Sequence, residues 1–285
     1  MIAPELFLLL PILAYFFFAV TSSVDKHLIN RKISPLVVGS AKNLIVSLML
    51  FAAILAVAPE SFLAVDGFGW AVIIITAFVG IGATVFFYRS LKLEEISRFV
   101  PYYQSVGILL PFIVIIILLN EVVNIYNVFG AVLVIAGVYA SGSRKFELPK
   151  YVKEVHLTAL FNAAALILIK LSAVSVFPLI VSFVYYLVTG LAMMHISKID
   201  FADLGKFKSP INAKYLLLAA VGSFLGTSAL VFALSFIEGS LVFPVAGLYV
   251  LLVTLFGGLW LKEKDLKSRI IGALLIVLGI YGVYL

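Results

Sequence analysis

The chain contains no cysteine and only two tryptophans in 285 residues, and just 12% of its residues are charged. Without cysteine there is neither a disulfide framework nor a thiolate metal site. The shortage of charge excludes a water-soluble globular domain, whose surface has to be covered by polar side chains. Nucleic acid is not expected as a partner either. The net charge of +6 is spread in short basic runs between apolar stretches and is not gathered on one soluble face. His27, His156 and His195 stand apart, with no carboxylate cluster at ligand spacing, so no metal site is expected. No Ser/His/Asp grouping, glycine-rich phosphate loop or acid pair stands out, so no catalytic residue and no cofactor is expected.

What the chain has is apolar length. Hydrophobic residues make up 64% of it, and the mean hydropathy is +1.22. Crossing a hydrocarbon core of ~30 Å takes about 20 residues of helix. Ten such runs can be read, at about 6–25, 35–57, 68–91, 98–119, 125–142, 155–176, 178–197, 213–236, 240–261 and 267–285. Continuous runs of this kind form helices, because backbone groups in lipid must be satisfied internally. The fold class expected is therefore all-α integral membrane, with the lipid bilayer as its surroundings. Residues 1–24 have no basic stretch ahead of the apolar run, so they read as a first span and not as a cleaved leader.

The chain also repeats itself. Gly130-Ala-Val-Leu-Val-Ile-Ala-Gly-Val-Tyr139 returns as Gly272-Ala-Leu-Leu-Ile-Val-Leu-Gly-Ile-Tyr281, 142 residues on. Pro35-Leu-Val-Val38 returns as Pro178-Leu-Ile-Val181, and Ala83-Thr84 as Gly226-Thr227. Glu95, Ser97 and Pro101 return as Glu238, Ser240 and Pro244, and Glu121 returns as Glu263. Two halves follow, 1–142 and 155–285, joined by a connector at 143–154. Five spans is an odd number, so equivalent elements lie on opposite faces of the membrane. Such inverted repeats are characteristic of secondary transporters.

Of twenty Lys and Arg, eighteen fall in or beside alternate connectors on one face; Lys42 and Lys170 lie within spans, and the other face carries only acids. The positive-inside rule makes the basic face cytoplasmic and puts both termini outside a plasma (inner) membrane.

These motifs together resemble the drug/metabolite transporter superfamily, in its ten-helix EamA-type branch. The likeness runs through Ser90-Leu91, Ser97, Pro101, Glu121 and Gly130–Gly137 in the first half. In the second it runs through Leu234, Ser240, Pro244, Glu263 and Gly272–Gly279. It implies two inverted five-helix repeats around a central cavity, with the fifth and tenth helices peripheral, and alternating access for small organic solutes. Lys42 stands where such proteins often carry Arg in the second span, and the resemblance implies cytoplasmic termini in many relatives. The distribution of basic residues argues for the opposite orientation, and we give it precedence.

Candidate functional residues follow from depth. Lys42 lies too deep in span two for comfortable snorkelling, with Asp25 its most plausible counter-ion. Lys170 lies inside span six and has Lys26 as its repeat-mate, one near each mouth of a pathway; a snorkelling role is the alternative for both. Tyr102, Tyr103 and Gln104 follow Pro101, where the helix lacks a backbone donor. Tyr185, Tyr186 and Tyr249 lie near mid-span, and Asn162, Thr227 and Ser228 add hydrogen-bonding groups. Pro101 and Pro244 are candidate hinges, and Lys26 a candidate gating residue. Glu95 and Glu238 read as caps of helices four and nine. No acid is read in mid-span, which favours facilitated diffusion or exchange over proton-driven cation export.

The expectation is a transporter of small polar metabolites, amino acids or other carboxylate-bearing solutes first, since buried positive charge without buried negative charge selects anions. The alternatives are an exporter of hydrophobic or cationic drugs and, from another class, a membrane enzyme or lipid-handling protein. The chain is expected to work as a monomer or a homodimer, the paired glycines at 130/137 and 272/279 supplying a close-packing face whose neighbour is left open.

Overall fold

The computed structural model describes residues 9–119, 124–141, 152–173, 176–199, 201–236, 242 and 245–283. Ten long helices are present among them: α1 (Leu9–Asn30), α2 (Pro35–Val57), α3 (Gly67–Leu93), α4 (Ile96–Leu119) and α5 (Ile125–Ser141), then α6 (Val152–Ala173), α7 (Pro178–Ile196), α8 (Pro210–Phe236), α9 (Ala246–Leu259) and α10 (Leu266–Val283). The described residues include no strand. Six helices, α1, α2, α3, α6, α7 and α8, are long and apolar enough to cross a membrane. Both third helices of the halves, α3 and α8, have 27 residues.

Local sequence explains several helix starts. Pro35 and Pro178 open α2 and α7, where a missing N–H costs nothing and the fixed φ suits a first turn. Asp66 caps α3, its side chain accepting from Gly69 N at 2.7 Å. Proline also opens α8.

The most extensive helix contacts cross between the halves. In the first, α1 packs along α8, and its inversion-mate is α6 along α3. Helix α2 packs along α7, α5 along α10, and α4 along α9. Small and hydroxylated residues form these seams. Thr21 Oγ1 donates to Ala219 O at 3.3 Å between α1 and α8. Ser40 Oγ donates to Gly190 O at 2.9 Å between α2 and α7.

The repeated glycines meet each other. A Cβ on Gly137 would lie 2.7 Å from Gly272 O, and one on Gly279 would lie 2.7 Å from Gly130 O. The neighbour of each glycine face is therefore internal: α5 and α10 approach backbone to backbone. Their outer faces present Tyr126, Phe129, Ile135 and Tyr139 on α5 and Leu274, Leu278 and Tyr281 on α10, all exposed, as a lipid-facing surface would be. Helices α1–α4 and α6–α9 enclose a cavity, and α5 and α10 stand outside it.

Candidate substrate cavity

The cavity has a volume of about 250 Å³. This is a little under the ~300–1,000 Å³ typical of small-molecule sites, so it suits a small solute. Its wall is largely aromatic, with Tyr15, Phe18, Phe87, Tyr88, Tyr103, Tyr185, Tyr186 and Tyr249 all contributing. Polar groups on the wall are Thr21, Ser22, Lys42, Asn43, Gln104, Asn162, Ser223 and Thr227.

The polar groups are positioned by partners on other helices. Ser22 Oγ and Tyr249 Oη lie 2.9 Å apart, joining α1 to α9. Tyr103 Oη donates to Tyr249 Oη at 3.5 Å. Tyr186 Oη and Thr227 Oγ1 are 2.7 Å apart, joining α7 to α8, and Asn43 Nδ2 donates to Thr189 Oγ1 at 2.9 Å. These bonds hold the tyrosine hydroxyls on residues that line the cavity. Such a wall combines apolar contact with a few placed hydrogen-bonding groups.

Among the described residues, Lys42 is the one Lys or Arg on this wall. Its Nζ lies 2.7 Å from Asp25 Oδ2 and 5.3 Å from the centre of the Tyr88 ring. Tyr88 Oη donates to the same Asp25 oxygen at 2.7 Å. Asp25 is fully buried behind them, and its Oδ1 has no hydrogen-bond partner among the described residues.

This corrects two expectations. The buried positive charge has a buried negative mate, so net charge alone does not select anions. The first helix also runs on to Asn30, which places an acid inside it. The polar run Asp25-Lys26-His27 marks no helix end, because each of these side chains finds a partner on a neighbouring helix.

Seven residues expected from sequence to contact a solute are on the wall: Lys42, Tyr103, Gln104, Asn162, Tyr185, Tyr186 and Tyr249. Three others are placed elsewhere. Tyr102 points its hydroxyl at His156 Nε2, 3.3 Å away. Ser228 is half-buried next to the wall residue Thr227 in sequence, its buried Oγ without a partner among the described residues. Lys170 donates to Leu234 O at 2.6 Å, at the end of α8. Its repeat-mate Lys26 donates to Leu91 O at 2.6 Å and Glu94 O at 2.7 Å, at the end of α3. Pro101 lies within α4, its carbonyl accepting from Ser105 Oγ at 2.6 Å, and Pro244 lies outside the described residues.

Capping of α4 also differs from the local pattern. The first amides of α4 are held by Glu263, whose carboxylate accepts from Ile96 N at 2.8 Å and Ser97 N at 3.0 Å. Glu95 pairs instead with Arg269 of α10, which also bonds Ser97 Oγ. A guanidinium attracts Glu95 more strongly than its own helix start does, and the cap comes from the other half. Glu238 lies outside the described residues. Tyr88, Ser22 and Ser223 also line the wall and were not expected from sequence. Thr227, expected as a hydrogen-bonding group, lies on it together with its repeat-mate Thr84.

No curated protein matches the chain. A solved structure described as "Crystal structure of protein" aligns with 97% of this chain and 94% of its own at a TM-score of 0.67 and 18% identity, a likeness of fold. The model of the EamA-like transporter family matches twice, at residues 6–142 and 155–285. With ten helices in two inverted sets of five around an internal cavity, this multi-pass membrane protein belongs to the EamA-like transporter family, whose members are transporters of the drug/metabolite type.

Proposed function

We propose that the chain is a secondary transporter of small carboxylate-bearing solutes, zwitterionic amino acids above all, working by alternating access. The observation that carries this reading is the arrangement of Lys42 and Asp25. The ammonium is on the cavity wall and the carboxylate is behind it, so the site as a whole is neutral yet offers its positive end to a solute. A carboxylate fits that end, while Gln104 and Asn162 offer amide dipoles and the tyrosine rings take apolar substituents. A neutral site also accepts a solute with no net charge without leaving a buried charge unbalanced.

Transport by rocking of the halves suits the inverted repeat, with the α4 segment around Pro101 and the Pro244 region as hinges. The concentration of Lys and Arg on one face supports cytoplasmic placement of that face and external termini in a plasma (inner) membrane. Monomeric function is consistent with α5 and α10 covering each other's glycines.

The test is uptake of labelled amino acids into proteoliposomes by wild type, Lys42→Ala and Lys170→Ala. The expected outcome is loss of uptake in Lys42→Ala and retention in Lys170→Ala, scaled to protein incorporated. Equal uptake by Lys42→Ala and wild type sinks the reading. A second reading, export of hydrophobic or cationic drugs, is favoured by the aromatic wall; growth protection against lipophilic cations with no amino acid uptake selects it.

A further inference from the structure

The ion pair has no mate in the second half. The position equivalent to Asp25 is Ile169, and the one equivalent to Lys42 is Tyr185. Both of these line the cavity. The seams that hold the fold together are repeated by the inversion: α1–α8 by α6–α3, Lys26 by Lys170, Gly137 by Gly279. The Lys42–Asp25 pair is outside that pattern, so the architecture does not require it.

A buried ion pair also contributes little to stability, because desolvation offsets the attraction, while removal of one partner strands the other. If a substrate carboxylate takes Lys42, Asp25 is the stranded partner. It would keep only Tyr88, and its Oδ1 already has no partner among the described residues.

A substrate ammonium is poorly placed to replace Lys42 there. Asp25 is fully buried and is not part of the cavity wall. A proton needs no such room.

We propose that Asp25 is a proton site coupled to substrate, so that one proton travels with each carboxylate-bearing solute. The proposal rests on the reading of the substrate class above. The carboxylate binds Lys42, which stays an ammonium. A proton from the same aqueous side adds to Asp25 to give the neutral acid, with Oδ1 as the open position. On the other side the solute leaves, Lys42 returns to Asp25, and the proton is released. The empty site is neutral. With a zwitterion and the proton aboard, the substrate carboxylate balances Lys42 and the substrate ammonium is the one net positive charge, so the cycle carries one positive charge with each zwitterion.

Other groups around Asp25 do not supply the charge. The groups that act on it from other helices are Lys42 from α2, Tyr88 from α3, Tyr186 from α7 and Tyr249 from α9. Helix α8 presents the hydroxyls of Ser223 and Thr227. On α1 itself Lys26 is engaged by the carbonyls of Leu91 and Glu94, and His27 sits against the rings of Tyr215 and Trp260. Lys42 is therefore the cation in contact with Asp25, and its departure is the event that calls for a proton.

The experiment uses wild-type protein in lightly buffered proteoliposomes with a trapped pH dye, the potential clamped by potassium and valinomycin, and leucine and phenylalanine as labelled probes. The expected result is one proton entering per amino acid, and accumulation that rises by about tenfold per unit of pH gradient, acid outside, at the limit. Asp25→Asn is expected to exchange labelled for unlabelled amino acid at equal pH but not to accumulate it on a gradient. Amino acid uptake by wild type without dye response overturns the coupling and leaves the substrate class standing. Gradient-driven accumulation by Asp25→Asn overturns it too. Failure of wild type to carry either probe, or any member of a wider panel of carboxylate-bearing solutes, overturns both readings.

Discussion

Lys26 and Lys170 make the same contact in the two halves: each ammonium meets a main-chain carbonyl 2.6 Å away, Leu91 for one and Leu234 for the other, and those leucines are themselves repeat-mates. Each lysine comes from the first helix of its half and closes the end of the third. The carbonyls at a helix C-terminus carry partial negative charge and lack intrahelical donors, so a cation there is doubly suited.

Replacing either lysine should therefore weaken the fold and leave selectivity alone. Lys170→Met is expected to lose about 1.5–3 kcal/mol, the worth of a charged hydrogen bond to the backbone. Thermal unfolding in detergent measures the loss, and the concentration for half-maximal uptake should stay as in wild type. A shifted half-maximal concentration would assign Lys170 to the solute.

The Lys42–Asp25 pair should behave in the opposite manner. Lys42→Met or Asp25→Leu alone strands a buried charge and is expected to cost about 3–5 kcal/mol. The double replacement should recover most of that, since nothing charged is left unpaired. Unfolding midpoints of the four proteins give the coupling; additive losses would mean the two side chains act independently.

Close approach of α5 and α10 predicts intolerance at their glycines. A Cβ on Gly279 would sit 2.6 Å from Val134 N, against backbone that cannot turn aside. Gly279→Val is expected to cost about 1–3 kcal/mol or more by overpacking. Gly205→Ala is the control, because nothing lies within 4 Å of a Cβ there. Melting curves that fail to separate these two variants would contradict the packing.

The lack of cysteine allows the cavity wall to be mapped with single thiols against a silent background. Asn162→Cys and Tyr249→Cys are expected to react with a small polar thiol reagent, and saturating amino acid should slow the reaction severalfold. Tyr126→Cys, facing outward among exposed apolar residues, should ignore the amino acid. Mass spectrometry of the intact protein reads each rate.

Much of the architecture was legible in the residues because the chain states it twice. The two Pro-Leu starts, the paired glycines and the 27-residue third helices all follow the register. The aromatic positions 103, 185, 186 and 249 were reachable as well, since tyrosine deep in a span is out of place in the interfacial belt. What depth could not reveal was partnership. A lysine stem spans enough distance to reach a carbonyl on another helix, so Lys170 read as free charge where it closes a helix end. Glu95 followed a local capping pattern, but Arg269 lies 174 residues away in sequence and draws it off. Asp25 reads as the edge of a span because three consecutive polar residues imitate a loop; each meets a helix that only the folded chain brings near.

That the most extensive seams cross between the halves has a consequence for how the protein is made. Among the described residues, the most extensive contacts of α1, α3 and α5 are with α8, α6 and α10 of the second half. During synthesis the earlier five helices must wait in the bilayer, loosely associated, until the later five arrive. The finished molecule is packed like two antiparallel copies of one five-helix chain, as a duplicated gene would build it. Co-expressed as separate polypeptides, the halves have complementary faces already cut to fit, and each serves as the other's template.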